Sequence, residues 1–269
     1  MSRNTDSVSH TVKVALILCV VCSVIVSGAA VILKPRQVAN KELDRNRNIL
    51  VAAGLYREGE HSRDDVAELF SQFEVRAVNL DAGRFATDSE LADAGISLAS
   101  YDQRKAAKTP ELSMALTKAE DIAGIGRRAR FALVYIVKEN ANIAKLVLPV
   151  HGYGLWGTLY GYLALEGDGQ TVLGLGFYDH KETPGLGAEV DNPKWKAQWP
   201  GKQIYGSDRQ VAVSVAKRRP EEGSAAARHH VDALSGATLT SRGVQNLLSY
   251  WLGEEGFGPF LAKLQGGQA

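Results

Sequence analysis

The sequence predicts an α+β protein that begins with one membrane-spanning helix. Val14 to Leu33 forms a run of twenty residues without a charge, which is long enough for a helix across a bilayer. Segments rich in Val, Ile and Tyr follow between residues 128 and 178 and predict neighbouring strands. Helical patterns precede and follow these strands without a regular alternation. This order favours a soluble α+β domain with an antiparallel or mixed sheet and flanking helices.

Composition and charge place the 269-residue chain in the globular range. Hydrophobic residues make up 45% of the sequence and charged residues 23%, which excludes collagen-like repeats and extended disorder. The formal net charge of +1 gives no reason to expect a nucleic-acid partner. Both cysteines, Cys19 and Cys22, lie in the apolar run. The rest of the chain therefore has no thiol for a disulfide, a zinc–cysteine site or an iron–sulfur cluster.

The apolar run has two interpretations. As a membrane anchor it spans about 30 Å at roughly 1.5 Å per residue, between Lys13 and Lys34. As a cleaved signal peptide it would end at the small residues Ser27 to Ala29. The further apolar stretch Ala30 to Leu33 favours the anchor. Five basic residues follow the run closely and two precede it, so a positive-inside count puts the soluble domain in the cytoplasm, although large translocated domains weaken that rule.

Two helices are predicted directly after the anchor. Gln37 to Ala53 has a helical pattern that Gly54 ends. Ser62 is expected to cap a second helix that extends to about residue 72. Asp65 stands three positions after Ser62 and completes a capping box.

The strands are predicted from β-branched and aromatic residues between turn residues. Asn140 and Asn142 mark one turn, and Glu166 to Gly169 marks a hairpin turn. The predicted strands are Phe73 to Leu80, Arg128 to Lys138, Ile143 to Val150, Thr158 to Leu165, Thr171 to Tyr178 and Gln210 to Ala216.

Two more helices complete the prediction. Between Asp81 and Ile125 the pattern is mixed, and only Glu111 to Ile122 reads as a helix. Near the C-terminus five apolar side chains keep the spacing i, i+3, i+4, i+7, i+8. Arg242 to Leu252 is therefore predicted as an amphipathic helix.

Gly152 to Gly157 matches the glycine pattern G-x-G-x-x-G. A dinucleotide-binding fingerprint of this kind needs a helix directly after the glycines, because the pyrophosphate lies at the helix N-terminus. Thr158 to Leu165 is instead aromatic-rich, contains Gly161 and predicts a strand. The glycines are interpreted as a turn that exposes an aromatic side chain, and NAD binding is not expected.

The segment from His180 to Gly187 has both a structural and a functional interpretation. Pro184-Gly185 is typical of a type II turn, and Gly187 permits another positive φ. Two glycines would also let backbone N–H groups approach a planar ligand, with Leu186 against its face. Composition alone leaves both interpretations open.

Asp232 to Ser241 leads directly into the final predicted helix. In the structural interpretation this is an ordinary capped helix start, with Thr240 or Ser241 as the N-cap. In the functional interpretation the small residues and hydroxyls form a phosphate site at the helix N-terminus. Position alone does not decide between them.

Metal and serine-nucleophile chemistry are not indicated. His229 and His230 are adjacent, so their side chains point apart in extended backbone, and no third and fourth ligand has suitable spacing. Ser235 lacks the G-x-S-x-G context of a nucleophile elbow.

Three segments together resemble the FMN-binding domain family. Asp232 to Thr240, DALSGATLT, resembles the flavinylation motif D-x-x-[ST]-G-A-[ST]. Gly154 to Trp156 and His180 to Trp195 resemble two further signatures of that domain. With the anchor, the length and the ending Trp251 to Leu264, the chain resembles the C subunit of the bacterial sodium-translocating NADH:quinone reductase. The G subunit of the Rnf electron-transport complex shares the flavin motifs but is shorter and lacks this ending.

The resemblance implies one covalent FMN per chain, attached to Thr238 by a phosphoester bond. A separate magnesium-dependent flavin transferase makes that bond in the family by taking FMN from FAD. Lys217 is a candidate cation for reduced flavin, or else a solvated lysine. The residues expected to present Thr238 and hold the phosphate are Asp232, Ser235, Gly236 and Ala237. The residues expected at the flavin ring are Glu182, Thr183, Pro184, Gly185, Leu186, Gly187, Leu155 and Trp156.

The resemblance also implies an organisation and a role. Residues 1–34 would be a tail and membrane anchor, 35–150 the first part of the soluble domain, and 151–269 its FMN-binding part. The chain would relay single electrons within a six-subunit complex of the bacterial inner membrane. It would pass them from an iron centre towards a second FMN, both on neighbouring membrane subunits, and finally to ubiquinone. Because the family's transferase works in the periplasm, the soluble domain is expected there, against the charge count.

Two other functional classes remain as alternatives. A non-redox, membrane-anchored binding module would use the SGAT segment only to start a helix, and it would bind no flavin. An NAD-dependent enzyme built on Gly152 to Gly157 would bind NADH. Neither accounts for both Glu182 to Gly187 and Asp232 to Thr240.

Overall fold

A computed structural model describes residues 7–267. Internal contacts divide the chain into two compact units, one ending at Arg45 and the other beginning at Asn46. The boundary expected between residues 150 and 151 falls inside the strand Asn142–Tyr153.

The described part of the first unit is helical, and its helix extends along the chain past Arg45, so that residues 46–52 of the helix belong to the second unit. Helix α1 (Val8–Ala52) contains Pro35, and its N-terminal part includes the predicted span Val14 to Leu33. The apolar window of this helix is unburied, and its length and composition suffice to cross a membrane. The helix predicted over Gln37 to Ala53 is the continuation of α1, which ends just before Gly54 adopts a φ of 70°.

The second unit is built on a six-stranded antiparallel sheet. The strands are β1 (Phe73–Asn79), β2 (Arg84–Phe85), β3 (Ser113–Ala115), β4 (Arg127–Ala129), β5 (Phe131–Glu139), β6 (Asn142–Tyr153), β7 (Thr158–Glu166), β8 (Val172–Asp179), β9 (Ser214–Ala216) and β10 (His230–Asp232). The sheet has the order β2-β1-β5-β6-β7-β8, while β3 pairs with β4 and β9 pairs in parallel with β10. The α+β class is confirmed, as are the strands predicted from residue 143 to residue 178. The strand predicted over Arg128 to Lys138 is divided into β4 and β5, and β4 pairs with β3 outside the six-stranded sheet.

Short helices surround the sheet, and one long helix packs on it. The helices are α2 (Asp65–Phe70), α3 (Asp88–Asp93), α4 (Gln103–Ala106), α5 (Pro193–Lys196), α6 (Thr238–Leu252) and α7 (Gly258–Gln265), with 3₁₀ turns at Pro110–Leu112, Gly187–Asp191 and Ala225–Arg228. The apolar face of α6 is fully buried, and Trp251 Nε1 donates to the carbonyl oxygen of His151 on β6 at 2.7 Å. Burial of each large apolar side chain is worth about 1.5–3 kcal/mol, so this face fixes α6 against the sheet.

The helix predicted near Glu111 to Ile122 is wrong. This segment holds a 3₁₀ turn, the short strand β3 and a loop. The Asp121 carboxylate accepts the backbone N–H groups of Ile125 and Gly126 at 2.7 and 2.8 Å. Such side-chain bonds to the backbone compete with a helix, and here they stabilise the loop.

The second predicted helix is shorter than expected. It begins at Asp65 rather than after Ser62, and no side chain caps it. One half of the capping box still forms, because the Ser62 N–H donates to the Asp65 carboxylate at 2.7 Å.

Two other element boundaries also differ from the prediction. The strand expected from Gln210 is confined to β9. Val211 forms only an isolated bridge with Tyr205, and the Ala212 and Val213 N–H groups both donate to the Ile204 carbonyl oxygen, which interrupts a regular ladder. Helix α6 begins at Thr238, four residues before the predicted start, with Ala237 as its N-cap. Thr240 and Ser241 are therefore buried inside the helix and are not its N-cap.

His151 predicts a pH dependence of stability. Burial lowers its pKa from 6.5 to about 4, and the Arg104 guanidinium adds to this shift. Between these two values the unfolded state binds the proton and the folded state does not, so stability falls as the pH drops. Each pKa unit is worth about 1.4 kcal/mol, so we expect a loss of up to about 3 kcal/mol in unfolding free energy between pH 7 and pH 4.

Urea unfolding of the wild type and His151→Phe at a series of pH values checks this expectation. The loss should appear in the difference between the two proteins, because their other titrating groups are the same. Equal pH dependence in both proteins would contradict it.

Candidate functional site

The start of helix α6 presents a threonine hydroxyl to solvent. Thr238 is the first helical residue, is exposed, and has no hydrogen-bond partner for its hydroxyl among residues 7–267. Ala237 before it offers no side-chain cap, and Gly236 turns the chain with a φ of 74°. The first N–H groups of α6 are therefore not capped by a side chain, and such groups favour a bound anion.

Asp232 holds the motif in place through ion pairs and hydrogen bonds. Its carboxylate accepts two N–H groups of Arg219 and lies 3.2 Å from His230 Nε2. The hydrogen bonds from Arg219 hold the pKa of Asp232 below its usual value. The Asp232 backbone is also fixed, by the Gln198 side chain at 3.0 Å and the Trp195 indole at 2.8 Å. Both the carboxylate and the backbone of Asp232 are therefore hydrogen-bonded to other residues of the protein.

Lys217 lies beside the motif because β9 and β10 run in parallel. Ala216 is paired with Asp232, and the Ala233 N–H donates to the Ala216 carbonyl oxygen at 3.0 Å. Lys217 comes next along the chain and is exposed. An open pocket of about 530 Å³ is lined by Lys217, Arg219, Asp232, Ala233, Leu234, Ser235 and Gly236.

The segment from His180 to Gly187 forms the predicted turn. The Leu186 N–H donates to the Thr183 carbonyl oxygen at 3.1 Å, and Gly185 has a φ of 75°, as a type II turn requires. Thr183, Pro184, Gly185 and Leu186 lie on this turn, and Leu186 keeps 45% of its surface accessible. Glu182 at the start of the turn is instead 95% buried, since only 5% of its surface is accessible.

The glycines from Gly152 to Gly157 connect two strands. The Gly154 N–H donates to the Gly157 carbonyl oxygen at 2.8 Å, and β7 follows directly. The structure thus confirms the turn between strands and lacks the helix that a dinucleotide fingerprint needs. Leu155 and Trp156 lie at the tip of this turn, 38% and 62% exposed.

These three segments meet at the start of α6. A Cβ atom added to Gly236 would lie 3.1 Å from the Leu186 side chain. A Cβ atom added to Gly243, within α6, would lie 2.5 Å from the Tyr153 carbonyl oxygen. Glycine at this position lets the helix approach the turn that carries Leu155 and Trp156. The structure therefore places the predicted motifs side by side.

The residues at this junction fit a flavin mononucleotide. Leu155, Trp156 and Leu186 offer exposed apolar surface for a planar ring, and the helix start offers N–H groups for a phosphate. Among the described residues no cluster of His, Cys, Asp or Glu could hold a metal ion. A second pocket, of about 850 Å³, lies around Tyr205 and Arg228 and includes none of the predicted site residues.

Three residues at the junction were not predicted as site residues. Arg219 binds Asp232, Thr240 donates to Glu182, and Leu239 is a 51% exposed apolar side chain on the first turn of α6. Leu239 and Thr240 lie within the motif segment Asp232 to Thr240, whereas Arg219 lies outside every segment that the sequence analysis singled out.

Comparison with known proteins agrees with this geometry. The FMN-binding domain family model matches residues 154–253. The chain is 52% identical to the C subunit of the Na(+)-translocating NADH-quinone reductase of Pseudomonas aeruginosa, over 99% of each chain. It is 46% identical to the same subunit of Vibrio alginolyticus, over 100% of this chain and 99% of that one.

Solved structures show the same fold. The crystal structure of NqrC from Shewanella oneidensis aligns with a TM-score of 0.73 and 35% identity, covering 85% of this chain and 99% of that one. The corresponding C subunit from Parabacteroides distasonis aligns with a TM-score of 0.63 and 26% identity, over 85% and 96%. Full-length identity, the domain match and the shared fold all agree, and the chain belongs to the family of C subunits of the Na(+)-translocating NADH-quinone reductase.

Proposed function

We propose that this chain is the electron-transfer subunit of a sodium-translocating NADH:quinone reductase and carries one FMN covalently on Thr238. The observation that carries the proposal is the exposed hydroxyl of Thr238, which lies without a partner in the described chain at the first turn of α6. Exposed apolar side chains of two neighbouring turns flank that helix start. FMN would use both features, because its phosphate would be attached to the Thr238 hydroxyl and its flavin ring would pack against those exposed apolar side chains.

Attachment needs chemistry that the chain itself does not supply. A threonine hydroxyl is a weak nucleophile unless a base activates it, and the Thr238 hydroxyl has no such partner in residues 7–267. A separate magnesium-dependent flavin transferase would provide the activation. The Thr238 Oγ1–phosphorus bond would form, the pyrophosphate bond of FAD would break, and AMP would leave as the hydroxyl proton is released.

The chain's own residues would then bind and orient the group. The uncapped N–H groups of α6, with Ser235, Gly236 and Ala237, would hold the phosphate. Leu186 would pack on the ring face beside Leu155 and Trp156, and Lys217 would supply a cation near reduced flavin. Asp232 would act indirectly, because its bonds to Arg219 and His230 fix the strand that leads into the motif.

The flavin supplies uptake and release of single electrons, and the protein supplies the tether and the electrostatic surroundings. We propose that electrons arrive from an iron centre and leave towards a second FMN, both held by membrane subunits of a six-subunit complex, and so reach ubiquinone. In this scheme the chain itself binds neither NADH nor quinone.

We further propose that α1 anchors the chain in the bacterial inner membrane with the soluble unit in the periplasm. The apolar length of α1 supports the anchor. The compartment in which the family's flavin transferase works supports the orientation. The lysines and arginines after the apolar segment oppose it, but such counts carry little weight for large translocated domains.

One expression experiment tests both attachment and orientation. The full chain is expressed with the flavin transferase in an exported form and, separately, in a form retained in the cytoplasm. We expect a mass gain of one FMN unit, with in-gel flavin fluorescence that survives denaturation, only with the exported enzyme. Labelling only with the retained enzyme would overturn the orientation. No flavin in either strain, with both transferases active on a control substrate, would overturn covalent attachment.

A further inference from the structure

Glu182 is a buried carboxylate whose two oxygens are both bonded. Oε1 accepts the backbone N–H groups of Leu155 and Trp156 at 2.9 and 3.0 Å. Oε2 accepts the hydroxyl of the buried Thr240 at 2.5 Å. One side chain therefore connects its own turn to the turn between β6 and β7 and to the first turn of α6.

The partners of Glu182 suit an ionised carboxylate. The two backbone N–H groups can only donate, and the Thr240 hydroxyl lies within hydrogen-bond distance to supply a third donor. Within the described part of the chain no Lys, Arg or His lies at ion-pair distance from its oxygens. Hydrogen bonds alone offset the cost of burying this charge, which leaves a fixed negative charge inside the junction.

Two glycines make room for this carboxylate. A Cβ atom added to Gly154 would lie 2.6 Å from Oε1 of Glu182. A Cβ atom added to Gly187 would lie 2.6 Å from Oε2 and 2.5 Å from the Thr240 hydroxyl oxygen. Close approach to Glu182, rather than to a ligand, explains why glycine is needed at both positions.

We infer that Glu182 is a positioning residue for the flavin, with Thr240 as its partner. It holds the Leu155–Trp156 turn at a fixed distance from the helix start that carries Thr238. Its charge, behind these segments, disfavours the extra negative charge of a reduced flavin and keeps the reduction potential low. The Thr240 hydroxyl offsets part of that charge. This inference rests on the proposed function for its effect on the flavin, and on the hydrogen bonds alone for its effect on the turn.

Two substitutions give opposite expectations. Glu182→Gln removes the charge, so we expect the midpoint potential of the bound flavin to shift to more positive values. Thr240→Val removes a donor and leaves the charge less compensated, so the potential should shift to more negative values. Thr240→Ser keeps the hydroxyl and should restore the wild-type potential. If the two substitutions acted only by loosening the site, the midpoint potentials of Glu182→Gln and Thr240→Val would shift in the same direction.

Hydrogen exchange on the flavin-free chain provides a second measurement. Hydrogen bonds to a charged acceptor are stronger than those to a neutral one, so the Leu155 and Trp156 amides should exchange about 10-fold faster in Glu182→Gln. Glu139→Gln, the same change at an exposed carboxylate, is the matched control. Thermal unfolding of each variant confirms that it is folded. If Glu182→Gln does not fold, the direction of the potential shift in Thr240→Val tests the inference instead.

The outcomes distinguish this inference from the proposed function. Absence of FMN from the wild-type chain would refute the proposed function, and the exchange rates would then decide the role of Glu182 alone. If FMN attaches but both potentials stay at the wild-type value or shift in one direction, the electrostatic role is overturned. Unchanged exchange at Leu155 and Trp156 would overturn the positioning role.

Discussion

Thr238→Val is expected to abolish covalent flavin completely. Valine has nearly the shape of threonine but no oxygen to bond to phosphorus. Because the Thr238 side chain is exposed, and no described residue bonds to its hydroxyl, the substitution should leave the fold intact. Intact mass and in-gel fluorescence after coexpression with the exported transferase measure the loss.

Two companion variants sharpen this expectation. Thr238→Ser keeps a hydroxyl at the same backbone position and should still gain one FMN unit. Ser235→Ala removes the other exposed hydroxyl of the motif. Because the Thr238 oxygen remains, any attached FMN should still map to Thr238, and the yield should fall because Ser235 is proposed to help hold the phosphate. Circular dichroism and thermal unfolding should give the same curves for all three variants as for the wild type. Retention of the FMN mass by Thr238→Val would mean that another residue carries it, and peptide mapping would identify that residue.

Trp251→Ala is expected to lower the free energy of unfolding by about 3–5 kcal/mol. Trp251 is fully buried, its indole N–H bonds to the His151 carbonyl oxygen, and its ring contacts His151 and Phe257. Alanine leaves a cavity between α6 and β6 and removes the hydrogen bond to the His151 carbonyl oxygen. Because α6 also carries Thr238, flavin loading should fall with stability.

Trp156→Ala is the matched control, because the residue types exchanged are identical. Trp156 is 62% exposed, so its replacement should change stability by no more than about 0.5 kcal/mol. The two variants are compared by urea unfolding of the second unit within the full chain, which is followed by the fluorescence of the remaining tryptophans. Similar losses in both would show that α6 does not depend on the Trp251 contact.

The long strands could be predicted because their own residues specify them. Strands β5 to β8 combine β-branched and aromatic side chains with turn residues at their ends. The apolar face of α6 was equally visible in the spacing of its residues. Of the two three-residue strands, β9 lies within the predicted strand Gln210 to Ala216, whereas β10 was not predicted. The bounds of both strands are set by their pairing with each other, although Ser214 and His230 are sixteen positions apart in the chain.

The loop around Asp121 shows a second reason why an element predicted from the sequence can be wrong. Its residues have a helical pattern, but one carboxylate bonds two backbone N–H groups and stabilises a loop instead. The early start of α6 was missed for a related reason. Thr240 and Ser241 are good N-cap residues, yet their hydroxyls bond Glu182 and the Ala237 carbonyl oxygen. Helix and N-cap propensities of single residues do not identify these hydrogen-bond partners.

The candidate site was predictable as a set of motifs but not as an arrangement. Composition alone left the turn at Pro184-Gly185 and the motif at Thr238 open between structural and functional interpretations, and the family resemblance grouped them. Nothing in the sequence indicated that Glu182 bonds Trp156 and Thr240, which lie 26 and 58 positions away. Such links depend on the packing of α6 against the sheet.

The position of Thr238 at a helix start, rather than on a free loop, affects how a tethered cofactor would move. A helical backbone fixes φ and ψ at the attachment point, and the β-branch of threonine restricts its first side-chain torsion to two main rotamers. The bond from the Thr238 oxygen to the phosphorus could therefore point in only a few directions from the helix. The flavin would be held at a high effective concentration over one small area of the protein surface, so little entropy would be lost each time it settles there.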